Sequence, residues 1–356
     1  MKNSCSCDSK IRDDDVYVVN PYFRLRNEVD HVFVFGCQEL GFSRFHRSFG
    51  VVLALCNGER TVADIARLTR SLVRLDDDNK ALEVARQNVK RILFRASRTK
   101  EEMERLPPSK DIFPASTIVL LKSEFDEKFR DISVANVEYD ARSFLPKDIT
   151  QVSAPPYKVA HGLFPAALTW HLTPECATNC KYCYLKRRKV IPMPLKRTLE
   201  LLDEAADIGV CNVDCAGGDV LCYPHLFDVL ERMQQHKFLP FLLSTKALIT
   251  EDVAKKLALH REIIWQLQYS IDTDDEMIAR YLVEVTDFPN RAFSSIKNAL
   301  NVGLPVSAKA VITPYNILTI PRLCRRLKAM GVQKINLATY SRSGYYHTDD
   351  LFWLIR

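Results

Sequence analysis

The chain lacks a long hydrophobic run. None of its 356 residues falls in a stretch of the ~18 or more uncharged apolar residues that a membrane span needs. The N-terminus, "MKNSCSCDSKIRDDDVYVV", has no apolar stretch of the secretory kind, so no membrane partner is expected. Charge of one sign is also missing. Fifty Lys and Arg against 44 Asp and Glu leave +6, which suits an acidic peptide or a nucleic acid and demands neither. The eleven cysteines are odd in number and scattered, unlike a disulfide-built domain. They predict a reduced, cytoplasmic protein with some thiols reserved for metal. With 47% apolar and 26% charged residues, the composition is that of a globular protein able to bury a core unaided. Its length suggests about two domains.

Residues 16 to 36, "VYVVNPYFRLRNEVDHVFVFG", hold short β-rich runs between turn formers and predict two or three strands. Phe49, Val51, Leu53, Ala54 and Leu55 predict a helix that stops at Asn57-Gly58. Thr61 is placed to cap a second helix with Val62, Ile65, Ala66 and Leu68 on one broad face. A third helix is expected over residues 78 to 96. Strands, three short helices and a tight Asn-Gly turn suggest a winged helix-turn-helix unit, α+β in class. Three prolines in "RLPPSKDIFPASTIVLL" break the pattern. Residues 101 to 165 read as a connecting region, with short strands in "STIVLLKSEF" and "SVANVEYDA".

From residue 166 strand and helix patterns alternate. "AALTWHLT", "VCNVDCAG", "LPFLLSTKA", "IIWQLQYSID", "VSAKAVIT" and "KINLATY" read as six strands, with amphipathic helices between them. Parallel βαβ units have this pattern, their strands covered on both faces. Six units are too few for a closed eight-fold barrel. A doubly wound sheet or an open, partial barrel fits, and either places ligands at the C-terminal strand ends.

At the end of the first of these strands stands "TPECATNCKYCY", with Cys176, Cys180 and Cys183 spaced C-x3-C-x2-C. Three is too few for paired disulfides, and closed structural metal sites commonly use four ligands. In a [4Fe-4S] cluster three thiolates serve three irons and leave the fourth open. Zinc with a Cys3His set is the rival. His171 precedes Cys176 by five residues but lies inside the strand, whereas structural zinc sites pair knuckles from separate hairpins.

The triad, with Tyr182 before its last cysteine and a six-unit βα repeat behind it, resembles the radical S-adenosylmethionine (radical SAM) superfamily over residues ~166 to 342. "AGGDVL" after the second strand looks like that family's Gly-Gly-Glu motif, with Asp219 in place of Glu. The resemblance implies an α/β fold, a partial (β/α)6 radical SAM barrel. It makes Cys176, Cys180 and Cys183 the cluster ligands, and puts the backbone of Gly217, Gly218 and Asp219 at the amino group of SAM. "LLSTKA" places Ser244, Thr245 and Lys246 near the same rim. Ser270 and Asp272 of "LQYSIDT" match the family's ribose contacts, and Tyr182 joins the cofactor-binding set. "VITPYN", with Asn316, resembles the peptide-modifying, SPASM-type branch. The implied cofactors are a [4Fe-4S] cluster and SAM, with an external one-electron reductant of flavodoxin or ferredoxin type. The implied chemistry is reductive cleavage of SAM to methionine and a 5′-deoxyadenosyl radical that abstracts hydrogen.

The stretch "LALCNGERTVADIA" resembles the PqqD-like peptide-recognition element of maturases that act on ribosomally made peptides, over residues ~16 to 100. That implies a precursor peptide whose leader adds to a strand edge. A winged helix can instead bind DNA, and Arg86, Lys90, Arg91, Arg95, Arg98 and Lys100 form a basic stretch. Asp64 and Asp76-Asp77-Asp78 put acid close by, which disfavours nucleic acid. The alternative from another class is a non-catalytic iron–sulfur regulator that reports cluster state to DNA. Such a protein needs no SAM pocket.

Cys211 and Cys215, inside the second strand, read as buried hydrophobes, as do Cys37, Cys56 and Cys324; Cys222 follows the Gly-Gly-Asp turn. Cys5 and Cys7 receive no role. Many such maturases carry a C-terminal SPASM or twitch domain with auxiliary clusters. No cysteine follows Cys324, so residues 343 to 356 cannot build one. The apolar "DDLFWLIR" predicts a missing C-terminal domain or a partner chain. The bond made, whether a cross-link or an inverted centre, is left open.

Overall fold

The structure, a computed structural model, describes residues 11–28, 31–37, 41–73, 78–98, 116–130, 137–145, 164–183, 185 and 191–340. They divide into two compact units, Met1–Ala166 with Gly209–Cys211 and Ala167–Ile208 with Asn212–Arg356. Cys5, Cys7, Asp76, Asp77, Lys100, most of the connecting region and the tail over 343–356 lie outside the described residues.

The first unit runs β1 (Val16–Val19), β2 (Phe23–Asn27), β3 (Val32–Gly36), β4 (Phe42–Phe45), α1 (Arg47–Leu55), β5 (Asn57–Thr61), α2 (Val62–Leu72), α3 (Asn79–Ala96), β6 (Val119–Leu121) and α4 (Lys122–Lys128). Two antiparallel sheets result, ordered β5-β1-β6 and β2-β3-β4. The expected strands over 16 to 36 are three, and β4 and β5 are additions. Asn57-Gly58 does not merely end α1. Gly58, at φ +84°, turns the chain at once into β5, a backbone position suited to glycine. Thr61 caps α2 as expected: its hydroxyl accepts from Asp64 N at 3.2 Å, and the Asp64 carboxylate accepts from Thr61 N at 3.1 Å. Asp78 caps α3 in the same way, accepting from Ala81 N at 2.6 Å. Phe45 stacks on Phe49 with ring centroids 4.6 Å apart, within a core that includes Leu53, Ile65, Val89 and Leu93. In the connecting region "STIVLLKSEF" gives β6 followed directly by α4. The described part of "SVANVEYDA" forms no strand; Asp140 instead caps a 3-10 turn, Ala141–Phe144, by accepting from Arg142 N at 3.0 Å.

The second unit runs β7 (Ala167–Thr173), α5 (Leu195–Asp207), β8 (Asn212–Gly217), α6 (Leu226–Gln235), β9 (Phe241–Thr245), α7 (Glu251–Ala258), β10 (Ile264–Ser270), α8 (Glu276–Val283), α9 (Phe288–Asn301), β11 (Val306–Ile312), α10 (Ile320–Ala329) and β12 (Lys334–Thr339). All ladders are parallel. β7 pairs with β8, while β9, β10, β11 and β12 form one sheet in chain order, and β8 lies beside β9 without a ladder. A doubly wound sheet reverses its strand order at a switch point. This sheet never reverses, so the open-barrel reading is the one that fits.

Side-chain alternation divides the strands into two faces. Val213, Cys215, Leu243, Leu267, Tyr269, Ala308 and Ala310 are buried under the helices. The opposite, inner face carries Asp214, Ser244, Gln268, Ser270, Lys309 and Asn336. The strands are therefore less uniformly apolar than a sheet covered on both faces, and β7 is largely exposed before Leu172. The inner face is therefore polar, and part of it is satisfied within the protein, with Gln268 Nε2 donating to Ser244 Oγ and Asn336 Nδ2 to Gln268 Oε1.

Thr61→Ala is expected to lower stability by about 1 kcal/mol, read as a lower urea midpoint for unfolding of the first unit, and Thr61→Ser should restore most of the loss.

Candidate functional site

The cysteine loop leaves β7 at Thr173 and is fastened before any ligand is considered. Thr173 Oγ1 accepts from Glu175 N at 3.1 Å. Asn179 N and Lys181 N donate to Val283 O and Leu282 O at 3.0 and 2.9 Å, so the loop hangs from the last carbonyls of α8, groups that a helix leaves unpaired. The chain leaves that helix at Glu284, in the left-handed region at φ 56°. The Glu284 carboxylate accepts from Asn179 Nδ2 and pairs with Lys181 Nζ at 3.3 Å. Sequence reading found neither α8 nor this anchor.

Cys176 and Cys180 are half-buried and Cys183 is exposed. Between the first two lies the hydroxyl of Thr178, 4% exposed, at 3.5 Å from Cys176 Sγ and 3.3 Å from Cys180 Sγ. Sequence reading passed over Thr178, although a hydroxyl midway between two candidate ligands was the available signal. Among the described residues no three His, Cys, Asp or Glu side chains gather as one metal ion requires, and His171 is exposed on β7. A cluster that gives each thiolate its own iron asks for wider spacing.

The Gly-Gly-Asp turn presses against this loop. Gly217 sits at φ +135°, and a Cβ there would lie 2.5 Å from Thr173 O. At Gly218 a Cβ would meet Glu175 O at 2.0 Å and Pro174 O at 2.5 Å, closer than any side chain tolerates. Gly218 N and Asp219 N donate to Thr173 O and Glu175 O, both at 2.7 Å. The turn thus holds the root of the cysteine loop through its backbone.

The Asp219 side chain has a structural job. Its side chain is 3% exposed and faces protein donors. Oδ1 accepts from Thr245 Oγ1 at 2.7 Å and Leu221 N at 3.0 Å. Oδ2 accepts from Lys246 N at 2.6 Å and Ala247 N at 3.0 Å. Burial raises its pKa above the ordinary carboxylate value even though all four donors work to lower it. The carboxylate ties the end of β8 to the end of β9.

That tie aims Lys246. Its ammonium reaches Asp272 Oδ2 at 2.6 Å, Tyr182 Oη at 2.5 Å and Cys180 Sγ at 3.5 Å. Tyr182 Oη also donates to Asp272 Oδ2, and Asp272 Oδ1 accepts from Val311 N at 2.9 Å. Burial opposes the Lys246 charge, but the Asp272 carboxylate, helped by Cys180 and Tyr182, holds its pKa well above the usual value. Burial first, and then the Asp272 carboxylate, push the Tyr182 phenol well up, so it stays protonated. Three of the expected site residues, Cys180, Tyr182 and Asp272, therefore meet at one ammonium. Ser244 and Ser270 lie on the inner face, and Ser244 Oγ accepts from Gln268 Nε2 at 3.1 Å. Asn316 is fully buried; its amide donates to Asp272 O at 2.7 Å and Val311 O at 2.9 Å and accepts from Thr313 N at 2.7 Å. It joins the ends of β10 and β11.

Of the other cysteines Cys211 and Cys215 lie within or beside β8, whereas Cys222 lies beside the cysteine loop, near Cys176 and the Ala177 backbone. Burial pushes the Cys211 thiol up to about 11 and Cys215 up to about 12. Burial, then Asp219 and Cys176, push Cys222 up to about 11. None of the nine described cysteines is bridged to another.

A parallel open barrel whose first strand ends in this loop defines the α/β radical SAM fold, and residues 170–327 match the Radical SAM superfamily. The chain is similar to the PqqA peptide cyclase of Granulibacter bethesdensis, 23% identical over 184 residues that cover 51% of this chain and 49% of that one. It is similar also to a probable GTP 3′,8-cyclase of Methanopyrus kandleri, 27% identical over 169 residues, 47% of this chain and 54% of that one. The chain thus spans about half the length of these relatives. Among solved structures it resembles Streptococcus suis SuiB bound to S-adenosylmethionine, with a TM-score of 0.59 and 19% identity over 92% of this chain and 64% of that one. SuiB bound to the precursor peptide SuiA gives 0.58 and 18%, over 94% and 66%. The superfamily uses a [4Fe-4S] cluster and SAM. The donor set fits that cluster: three unbridged thiols share one rim loop, with a buried hydroxyl and an ammonium beside them.

Two substitutions test the geometry. Asp219→Ala removes the acceptor of Thr245 Oγ1, Leu221 N and Lys246 N and should cost about 3 kcal/mol of stability, measured by chemical unfolding, with Asp219→Asn recovering part. Gly218→Ala should cut iron incorporation severalfold on anaerobic reconstitution, because the added methyl group must displace the Glu175 carbonyl and the loop behind it.

Proposed function

We propose that this chain is a radical SAM enzyme that modifies a ribosomally synthesised precursor peptide by hydrogen abstraction. The observation that carries this reading is the three-cysteine loop, seated by the Gly-Gly turn at the C-terminal rim of an open barrel. Cys176, Cys180 and Cys183 would hold a [4Fe-4S] cluster, leaving one iron for SAM. When bound, the cluster supplies the electron that cleaves SAM and begins hydrogen abstraction; a flavodoxin- or ferredoxin-type donor would replenish it. Thr178 can donate its hydroxyl proton to either neighbouring thiolate, and hydrogen bonds of this kind set cluster potentials. Lys246 places a fixed positive charge at Cys180, and Asp272 with Tyr182 keeps that ammonium from swinging away. Gly217 and Gly218 keep side chains out of the space beside the loop, and Ser270 and Asp272 stand at the strand end where the ribose would lie.

A peptide as substrate is supported by the likeness to SuiB, solved with its precursor peptide, and to PqqA peptide cyclases. In the first unit we read residues 16–100 as a PqqD-like, winged-helix docking element. Among the described residues β2 and β4 are outer strands of their sheet, and Phe42 at that edge is 45% exposed. An extended leader can add there as a further strand. The regulator alternative is weakened by the basic stretch itself. Lys90 pairs with Asp13 at 2.9 Å and Arg86 with Asp13 at 3.7 Å, while Arg98 lies over the Phe94 ring at 4.1 Å. These cations are engaged within the protein rather than offered to phosphates.

The test is anaerobic reconstitution followed by SAM and dithionite. We expect 5′-deoxyadenosine from the wild type and none from Cys176→Ala, Cys180→Ala or Cys183→Ala, while Cys215→Ala keeps its cluster and loses packing energy instead. An intact cluster without 5′-deoxyadenosine would sink the enzyme reading. Tight binding of duplex DNA, with no affinity for a leader peptide encoded beside this gene, would favour the regulator.

A further inference from the structure

The inner face of the second unit holds a positive charge that no described side chain answers. Lys309 lies in the middle of β11, registered against Ser270 of β10 and Asn336 of β12. Its neighbours Ala308 and Ala310 point into the helix layer, each 1% exposed, so alternation directs Lys309 to the lumen. From Asn336, level with Lys309, an amide chain runs one layer down across the same face. Asn336 Nδ2 donates to Gln268 Oε1 at 3.3 Å, and Gln268 Nε2 donates to Ser244 Oγ at 3.1 Å. The partners registered with Lys309 are uncharged. Among the described residues no carboxylate lies within ion-pairing distance of its ammonium and no hydrogen bond reaches it. Asp272, the carboxylate at the rim of the neighbouring strand, is committed to Lys246, Tyr182 and Val311 N.

A second observation points the same way. Ser307, two residues before Lys309 and on the same face, is 0% exposed, yet its hydroxyl has no hydrogen-bond partner. A buried, unmatched hydroxyl and a half-buried, uncompensated ammonium each cost free energy when left alone. An anion with two acceptor oxygens relieves both, and in a lumen shielded from bulk water the attraction is stronger than at a surface. A carboxylate has that shape, with oxygens free for an ammonium on one side and for hydroxyl or amide donors on the other.

We propose that Lys309, with Ser307 and Asn336 beside it, forms a carboxylate-binding site in the lumen that selects an acidic side chain of the peptide substrate. The proposal rests on the reading of the lumen as a peptide-modifying chamber. It goes further by naming which residue of the peptide the lumen recognises. The carboxylate of SAM shares the same chemistry, so the test separates the two sources.

The probes are two blocked tripeptides, acetyl-Ala-Glu-Ala-amide and its Gln counterpart, titrated calorimetrically into the full-length, cluster-loaded protein at low salt. The Glu peptide should bind wild type at least tenfold more tightly than the Gln peptide. Lys309→Met should abolish that preference and Lys309→Arg should keep most of it. Lys309→Gln, which retains polarity, replaces Lys309→Met if the latter does not fold. Equal affinities for the two peptides, including no measurable binding of either, overturn the proposal, as does a preference that survives Lys309→Met. A tenfold loss of SAM affinity in Lys309→Met assigns the site to the cofactor and overturns it too. Failure of wild type to bind SAM counts against the enzyme reading instead, while the Glu/Gln comparison still reports on Lys309.

Discussion

The carboxylate of Asp219 sits where two strands that share no ladder must end together. β8 and β9 lie side by side without backbone pairing, so nothing in the sheet itself fixes their C-terminal ends. Three hydrogen bonds to one buried carboxylate, from Thr245, Lys246 and Ala247, supply the missing link. The same residue's N–H reaches back to Glu175 O. One side chain and one peptide group therefore set three things at once: the gap between the strands, the height of the cysteine loop and the direction of Lys246. Hydrogen bonds to a charged group are individually stronger than neutral ones. Their value here is geometric as well, since an acceptor with two oxygens locks the angle between the elements it joins.

Beyond that link the rim is organised around a second charge. Lys246 is surrounded by a carboxylate, a phenol and a thiol, and the geometry leaves it little room to move. A buried ion pair of this kind adds little net stability, because desolvation cancels much of the attraction. What it does provide is a fixed field at Cys180. The contrast with Lys309 is instructive. Both lysines face the interior of the same barrel, but among the described residues only Lys246 is balanced by a carboxylate.

Much of this was legible in the sequence. All six strands of the repeat lie where the apolar runs placed them, because buried parallel strands write themselves as short hydrophobic segments. Thr61 was legible for a local reason, since a cap and its target amide lie three residues apart; Asp78, in the sequence only part of an acidic run, caps α3 with the same spacing. The features that escaped depend on distance or on short polar runs. Helix α8, "EMIARYLV", is short and follows an Asp-rich turn, and the strand–helix alternation gives it no place. β4 and β5 are short and lack continuous apolar character. The inter-strand role of the Asp219 side chain shows only in its partners at the end of β9 and just beyond it, 26 to 28 residues away. Register, which puts Lys309 and Asn336 on one face, is not written in any single strand. The choice between a doubly wound sheet and an open barrel likewise needed the observed strand order.

The suspension of the cysteine loop from the end of α8 bears on the order of assembly. In small metal-dependent domains the ion gathers its ligands and the fold follows, so loss of metal is loss of structure. Here the loop's path is set by Leu282 and Val283 carbonyls, by Glu284 and by the Gly-Gly turn, all of which belong to a hydrophobically cored unit. The conformational entropy of the ligand loop is given up during folding of the chain. A cluster would then enter a finished cradle, as a late step that an iron–sulfur delivery system can perform on folded protein, and its oxidative loss would leave an intact scaffold ready to be refilled.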